Sequence, residues 1–417
     1  MTDDSSSLSP GPTPSPAPSP VQDPDARRRS RRRALLLALL LLLLIVAGLL
    51  LWIFNVPGGD RGAGGAGDDR NSSPRADLAR AAALLRDAPA LHYTGTMSVK
   101  GTQGGEDARV DLVVSNPADA LGTLRKPDSP ALDYVGIDGK SFLRGKTEAW
   151  RSLGMAEKSK VLAEEPSMVQ PGMFFSQDLA TTLAPPALAK TVLAQDVPDE
   201  KITVGKPVTV GDHTCTPIHA GDTTVCLSDE RVDGARFVDR ITFPRESAVL
   251  DIKAMSRQEV ERFSTDFRSK LPLIRDSVDP RIDVTLQILR DYKGECAPTA
   301  CLFTARVTVT YLGSTSDPDA SKAVPVTYSW AIDRDGTRVE LDPECSGALL
   351  IKPGESEDLS CTATGPPVGS GANRGQYHGK IHTSDRALTP KEYERLVRLA
   401  ADNSEKIAAL PDPPTLR

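Results

Sequence analysis

The six cysteines of this 417-residue chain are the residues whose type and spacing most readily suggest chemistry. They form three pairs that are close in sequence: Cys215 with Cys226, Cys296 with Cys301, and Cys345 with Cys361. An even number of cysteines favours disulfides where the chain lies in an oxidising compartment. Six cysteines cannot be paired uniquely from a sequence, but turn or strand signals bound each pair. We therefore predict three local disulfides.

Metal binding is the alternative for the first pair. His213, Cys215, His219 and Cys226 are all ligand types for a transition metal. A regular strand would put the first three on one face, which does not by itself make their ligand atoms converge. Thiols outside the cytoplasm tend to be oxidised. The disulfide is therefore favoured, and neither a metal nor another cofactor is predicted.

The motifs of common enzyme classes are missing from the sequence. It contains no Gly-x-Ser-x-Gly elbow, no Ser-x-x-Lys, no His-Glu-x-x-His and no Gly-rich phosphate loop. The adjacent Glu164 and Glu165 would point in different directions on a helix, so they do not form an acid/base pair. None of the five histidines lies beside a candidate nucleophile. We therefore predict that the protein is not an enzyme.

Apolar residues form the other candidate site. Val110, Leu112 and Val114 alternate along one strand, so they share a face that must be covered. The proline-broken segment 156–194 offers six apolar side chains as cover: Met168, Met173, Phe174, Phe175, Leu179 and Leu183. In a compact domain all of them would be ordinary core. Short, kinked helices fit a curved sheet poorly, however, and methionine adapts to irregular surfaces. We therefore predict an apolar ligand cavity between these two sets.

The elements around these residues predict an α+β domain over residues 75–277. A helix begins at Pro74, because proline is favoured at the first helical position and apolar residues follow at helical spacing. Strands with period-2 alternation come next, with a hairpin at Asp138-Gly139. The helical segment 156–194 separates these strands from a second set. Ser256 and Glu259 form a capping box for a closing helix.

A second region, residues 278–388, shows regular short strands with turn signals between them. This pattern predicts an immunoglobulin-like β-sandwich. In the last segment, 389–417, Thr389 and Glu392 cap a final helix, which is followed by a tail.

The N-terminal segment predicts a membrane anchor. Residues 1–33 are rich in serine and proline and end in six arginines, which is typical of a disordered cytoplasmic tail. Residues 34–54 carry no charge and are long enough to span a bilayer. The run is longer than a cleaved signal and ends in Trp52, Ile53 and Phe54 without a small-residue cleavage site. We predict a retained, single-pass signal-anchor in the cell membrane, followed by a flexible Gly-rich linker at 55–74.

Charge argues against a nucleic-acid partner. The whole chain carries −6 and residues 1–33 carry +2, which leaves −8 for the part predicted to lie outside the cytoplasm. A nucleic-acid surface would need a basic face. All six cysteines lie in the same acidic part, as expected for an oxidising compartment.

Residues from about Arg75 to Leu273 resemble the superfamily of LolA-like lipoprotein carriers, and among them the LprG- and LppX-like lipoproteins. The resemblance is carried by three segments: "APALHYTGTMSV", "VGIDGKSFLRGKTEAWRSLG" and "VGDHTCTPIHAGDTTVCLSDE". It implies a curved antiparallel half-barrel, closed by helices around a lipid-binding cavity. The chain departs from the family in lacking a lipobox cysteine, in its predicted disulfide and in the appended sandwich.

The expected function is that of a membrane-anchored, non-catalytic protein of the cell envelope that binds a lipid or lipoglycan outside the cytoplasm. The sandwich would contact another envelope component. The alternative comes from RseB-like sensors of the same superfamily. In that case the half-barrel and the sandwich would bind protein partners in envelope signalling or assembly. An open apolar cavity would favour the first hypothesis, and a packed interior the second.

Overall fold

The computed structural model describes residues 73–99, 107–232, 234–288, 295–296, 300–313, 317–334, 337–341, 345–364 and 377–411. The predicted cytoplasmic tail, the predicted anchor at 34–54 and nearly all of the predicted linker lie outside these residues. Among the residues that are described, no helix is both long and apolar enough to cross a membrane. The anchor therefore stays a prediction from sequence.

A twelve-stranded antiparallel sheet organises the described residues from 90 to 254. Its strands are β1 (Ala90–Ser98), β2 (Asp107–Ser115), β3 (Ala120–Arg125), β4 (Leu132–Ile137), β5 (Lys140–Arg144), β6 (Ser167–Val169), β7 (Ile202–Val204), β8 (Val208–Val210), β9 (His213–Ala220), β10 (Thr223–Val232), β11 (Ala235–Phe243) and β12 (Ala248–Ala254). The spatial order is β6-β5-β4-β3-β2-β1-β12-β11-β10-β9-β7, and β8 also pairs with β9. Pairing of β1 with β12 thus joins the two predicted sets of strands into one sheet.

Local sequence signals explain several elements of this sheet and its helices. Asp138 and Gly139 both have positive φ and form a two-residue turn between β4 and β5, which is the backbone geometry that Asp-Gly favours. The helices are α1 (Pro74–Asp87), α2 (Thr147–Ser152), α3 (Ser159–Glu164), α4 (Leu179–Leu183), α5 (Pro185–Leu193), α6 (Arg257–Lys270) and α7 (Pro390–Ala409). The capping boxes predicted for α6 and α7 are both present.

The sheet curves around a helical layer on its inner face. α1 packs against α5 and contacts β7 and β11, while α4 contacts β4 in the other half of the sheet. Helices of one layer can touch both halves only if the sheet bends toward them. The inner core is filled by large side chains with at most 1% exposure, among them Tyr93, Tyr134, Trp150 and Phe237. The result is a mixed helix-and-strand fold with a curled, half-barrel sheet.

The outer face of the same sheet is covered by α6 and α7. Phe263 and Phe267 of α6 lie in one apolar cluster with Ile137 and Phe142 of the sheet. The C-terminal helix contributes buried Leu396, among other residues, to this cluster. The end of the chain therefore returns to the first sheet, a contact that the sequence pattern did not predict.

Two further sheets follow, and they pack face to face. Their strands are β13 (Ile282–Ile288), β14 (Glu295–Cys296), β15 (Ala300–Tyr311), β16 (Val324–Arg334), β17 (Thr337–Arg338), β18 (Glu340–Leu341), β19 (Ser346–Ile351), β20 (Ser356–Thr364) and β21 (Tyr377–Asp385). One sheet has the order β13-β15-β20-β18 with β14 beside β15, and the other holds β17, β16, β19 and β21. Phe303 of the first contacts Trp330 of the second, with 6.1 Å between ring centroids. A two-sheet sandwich is thus observed, and its immunoglobulin-like class stays a prediction.

A cluster of charged residues around Arg281 lies in the segment where the sandwich begins. Arg281 is nearly buried and pairs with Asp279 at 2.7 Å, Asp317 at 2.7 Å and Asp319 at 3.3 Å. Its guanidinium also lies 5.3 Å from the centroid of the Tyr311 ring. Buried charges of this kind are tolerated only when they are paired and hydrogen-bonded. The cluster ties residues 279–281 to residues 311–319 of the sandwich.

The docking of α7 places a carboxyl group out of water. Asp119 is 2% exposed, and its Oδ1 accepts a hydrogen bond from Nδ2 of Asn403 at 3.0 Å. Burial is the main cause that raises the pKa of Asp119 from 3.8 to about 7, with Lys406 opposing and Asp138 adding to the shift. The folded state thus keeps a proton that the unfolded state loses at lower pH.

This proton linkage predicts how stability depends on pH. The contribution of Asp119 is fully present below about pH 4 and is lost as pH rises to about 7. The substitution Asp119→Asn removes this dependence, so the melting temperature of the variant minus that of the wild type should be larger at pH 8 than at pH 5. At about 1.36 kcal/mol per pKa unit, the effect is a few kcal/mol at most.

The matched control is Asp358→Asn, which removes the exposed ion pair of Asp358 with Arg306 in the sandwich. Its melting difference from the wild type should be small at both pH values, since exposed ion pairs contribute little. An Asp119→Asn difference that does not change between pH 5 and pH 8 would contradict the linkage.

Candidate functional site

An open cleft of about 1210 Å³ lies between the helical layer and one end of the sheet. Its helical side comes from α1, α4 and α5. Its sheet side comes from the end of β1 and from the β9–β10 and β11–β12 turns. The helices therefore cover the inner face of the sheet incompletely at this end.

The floor of the cleft is apolar and its rim is polar. Buried floor residues at most 7% exposed include Ala82, Met97, Phe175, Leu179, Leu183, Ala189, Ala248 and Leu250. Charged residues at the rim are Arg86, Lys190, Asp196, Asp222 and Arg245. Arg245 pairs with Asp222 across the cleft edge at 2.7 Å. A molecule in this cleft would meet apolar side chains below and charges of both signs at the opening.

A hydrogen-bonded chain attaches α4 to the sheet. The Tyr134 hydroxyl and the Ser141 hydroxyl lie 2.7 Å apart, and Ser141 donates to Oδ2 of Asp178 at 2.7 Å. The other oxygen of Asp178 caps α4 by accepting from the backbone of Thr181 at 2.8 Å. Burial, followed by the charge of Asp178, raises the pKa of Tyr134, so its hydroxyl stays protonated. The carboxylate of Asp178 thus caps the N-terminus of α4 and attaches this helix to the sheet.

Close approach of α4 to the sheet depends on a glycine. A Cβ at Gly136 of β4 would lie 2.7 Å from the Cβ of Ala180 in α4, which is closer than two side-chain carbons normally come. Tyr93 of β1 also donates its buried hydroxyl to the carbonyl of Leu183 at the end of α4. These contacts hold the wall of the cleft against the sheet.

Arg75 holds the opposite part of the helical layer. Its guanidinium donates to the carbonyls of Ala194 and Val197, which line the cleft, and it pairs with Asp199. The first turn of α1 is thereby fastened to the segment that follows α5. Both ends of the α4–α5 layer are therefore fixed by polar contacts.

The structure brings three of the nine predicted cavity residues to the cleft. Phe175, Leu179 and Leu183 line it. Phe174 instead packs on Trp150, with 6.3 Å between ring centroids, and Met173 lies partly buried against the inner core. Whether any of these residues binds a ligand stays a prediction.

The remaining predicted residues do not line the cleft. Val110, Leu112 and Val114 face inward as expected, but they are at most 2% exposed and packed in the filled part of the inner core. Met168 lies opposite Phe142 in the pairing of β6 with β5, and both belong to the cluster on the outer face, with α6. The strand β6, which the sequence pattern did not predict, turns the Met168 side chain away from the inner face.

Small residues form part of the helical wall of the cleft, and they were not predicted from the sequence as lining residues. Ala79, Ala82 and Ala83 line the cleft from α1, and Pro186 and Ala189 line it from α5. The short side chain of alanine leaves space, and the alanines of α1 recur at spacings of three and four, which place them on one face.

The described disulfides agree with the predicted pairs. Cys215–Cys226 lies diagonally across β9 and β10 and is buried. Cys345–Cys361 links the start of β19 to β20 in the facing sheet, within the cluster that contains Trp330. The predicted partner of Cys301 is Cys296, whose side chain lies outside the described residues.

The alternative metal site near the first pair has no support in the described geometry. Cys215 and Cys226 are joined to each other. Nδ1 of His219 lies 2.9 Å from the hydroxyl of Thr224. Within the described part of the chain, no group of three or more His, Cys, Asp or Glu residues could hold a metal ion.

Comparison with known proteins gives only distant likenesses. No family model and no curated protein matches the chain. The crystal structure of LprF from Mycobacterium bovis is 12% identical, with a TM-score of 0.27, over 43% of this chain and 90% of that one. The Pseudomonas aeruginosa MucA/MucB complex is 10% identical, with a TM-score of 0.22, over 78% and 96%. At these identities and TM-scores, neither likeness indicates a ligand or partner of this chain.

The role of Asp178 predicts a specific stability effect. Asp178→Ala removes both the cap of α4 and the acceptor of Ser141, and should lower the free energy of unfolding by about 1–2 kcal/mol in urea titrations. Asp178→Asn keeps the oxygen that accepts from Thr181 and replaces the other oxygen by an NH₂ group that can donate to Ser141, so it serves as the control with a smaller loss. Equal losses in the two variants would show that the contacts do not position α4.

Proposed function

We propose that this chain is a membrane-anchored, non-catalytic protein that binds a lipid or lipoglycan outside the cytoplasm. The single observation that carries the proposal is the open cleft of about 1210 Å³ with a buried apolar floor. Each CH₂ that a ligand buries against this floor would contribute about 0.8 kcal/mol to binding. The cleft is therefore suited to acyl chains.

The size and polarity of the cleft favour an amphiphile over a small metabolite. Pockets for drug-sized ligands enclose roughly 300–1,000 Å³, and this cleft exceeds that range. Its charged rim, with Lys190 on α5 and Arg245 in the β11–β12 turn, suits a polar headgroup that remains at the opening. The resemblance of residues 75–273 to LprG- and LppX-like carriers supports the same proposal.

The membrane position rests on the sequence. The uncharged run 34–54 behind six arginines would hold the N-terminus in the cytoplasm. The disulfides of the described part are compatible with an oxidising location. In this proposal the chain handles lipid at the membrane that anchors it, and the sandwich, proposed to be immunoglobulin-like, contacts another envelope component.

Protein binding in envelope signalling or assembly is the second candidate function. It is favoured by the filled part of the inner core, where Val110, Leu112 and Val114 are at most 2% exposed. A half-barrel that serves only as a contact surface needs no cavity at all. The cleft beside this filled core is what makes lipid binding the leading proposal.

A substitution that fills the cleft from an exposed position tests lipid binding without disturbing the core. Ala83 is exposed on α1 and lines the cleft. Ala83→Trp should reduce retention of a fluorescent diacyl lipid at least tenfold, because the indole occupies the space of the acyl chains. Titration of the fragment 73–411 with the lipid probe measures the affinity.

The matched control is Ala401→Trp on α7, since Ala401 is also exposed and helical but lies away from the cleft. It should bind the probe as the wild type does. Melting temperatures equal to that of the wild type would show that neither substitution unfolds the chain. If the wild type retains no lipid, or if both variants retain it equally, lipid binding in this cleft is ruled out.

A further inference from the structure

A second, much smaller cavity lies next to the inner end of the cleft. It has a volume of about 10 Å³ and is lined mainly by apolar side chains, including Val99, Ala108, Leu124 and Leu143. A space of this size is at the lower limit for a single water molecule. It is therefore a packing gap and not a ligand site by itself.

Phe175 lines both cavities. On the strand side the boundary is equally thin, because Met97 and Ser98 of β1 line the cleft while the next residue, Val99, lines the small cavity. The buried Phe175 ring, 7% exposed, thus closes the cleft at the place where an apolar space continues beyond it.

Contacts on both sides hold the backbone around Phe175 in place. The carbonyl of Phe175 accepts a hydrogen bond from the backbone of Gly172 at 2.6 Å. The preceding Phe174 packs on Trp150, and the following Asp178 is fixed by Ser141. With its backbone fixed and its side chain 7% exposed, Phe175 forms part of the cleft wall.

We propose that Phe175 is the stop that limits how long an acyl chain the cleft accepts. The inference rests on the proposed lipid binding and assigns a specificity-determining residue to the same site. A chain that enters from the rim ends against the Phe175 ring. Removal of the ring joins the cleft to the small apolar cavity, so additional methylenes can occupy the space of the ring together with that cavity.

Competition between chain lengths tests this role on the full-length protein. The protein is held in amphipol and equilibrated with an equimolar mixture of phosphatidylglycerols whose two saturated chains have 12, 14, 16, 18 or 20 carbons. Mass spectrometry quantifies the retained lipids. The amount that the Ala83→Trp variant retains measures lipid bound outside the cleft, and this background is subtracted. Phe175→Ala should shift retention to longer chains, about fourfold for each further methylene that is buried, which corresponds to about 0.8 kcal/mol per CH₂.

Phe243→Ala is the matched control, because Phe243 also lines the cleft but not the small cavity. It should leave the preferred chain length unchanged. Phe175→Leu should give a smaller shift to longer chains, and Phe175→Trp should give a shift to shorter chains. These two variants keep the test informative if the alanine variant does not fold.

The outcomes separate this inference from the proposed function. Suppose that the wild type retains lipid above the Ala83→Trp background but no Phe175 variant changes the distribution of retained chain lengths. The proposed role of Phe175 is then wrong, and lipid binding in the cleft stands. If the wild type retains no more than that background, lipid binding in the cleft fails and the stop fails with it. Equal shifts in the Phe175 and Phe243 variants would also overturn the inference.

Discussion

The concave face of the twelve-stranded sheet has to be covered, and the helices on that side cover it only in part. Over most of the face, α1, α2 and the α4–α5 layer supply enough apolar volume to bury residues such as Tyr93 and Trp150 completely. At one end the helical wall includes the small side chains of Ala79, Ala82 and Ala83 in α1 and Ala189 in α5. Short side chains fill less of the space between helix and sheet, and the cleft lies there.

Polar contacts keep this space from collapsing. An unfilled apolar cleft would favour movement of the helices toward the sheet, since burial of apolar surface contributes about 25 cal/mol per Å². Asp178 fastens α4 to the sheet, and Arg75 fastens α1 to the segment after α5. These hydrogen bonds are partly buried, and the bond between Ser141 and Asp178 holds α4 at hydrogen-bonding distance from β5.

Local features were predictable from sequence, and long-range ones were not. Alternation identified β1 and β2, Asp138-Gly139 identified a hairpin, and short spacing identified two described disulfides, because these signals act within a few residues. The pairing of β1 with β12 and the docking of α7 connect residues more than a hundred positions apart. The periodicity of apolar residues shows that one face of a strand is covered, but it does not show which element covers that face. Met168 was therefore placed on the wrong side of the sheet, and the alanine wall of the cleft was missed.

Photo-cross-linking tests the central claim, that this cleft holds acyl chains, most directly. The full-length protein is illuminated in membranes that contain a phospholipid with a diazirine near the end of one chain, and labelled peptides are mapped by mass spectrometry. The account predicts labels on cleft residues such as Met97 and Leu183, and their loss in Ala83→Trp. Labels confined to the 34–54 segment, or cleft labels that persist in Ala83→Trp, would contradict it.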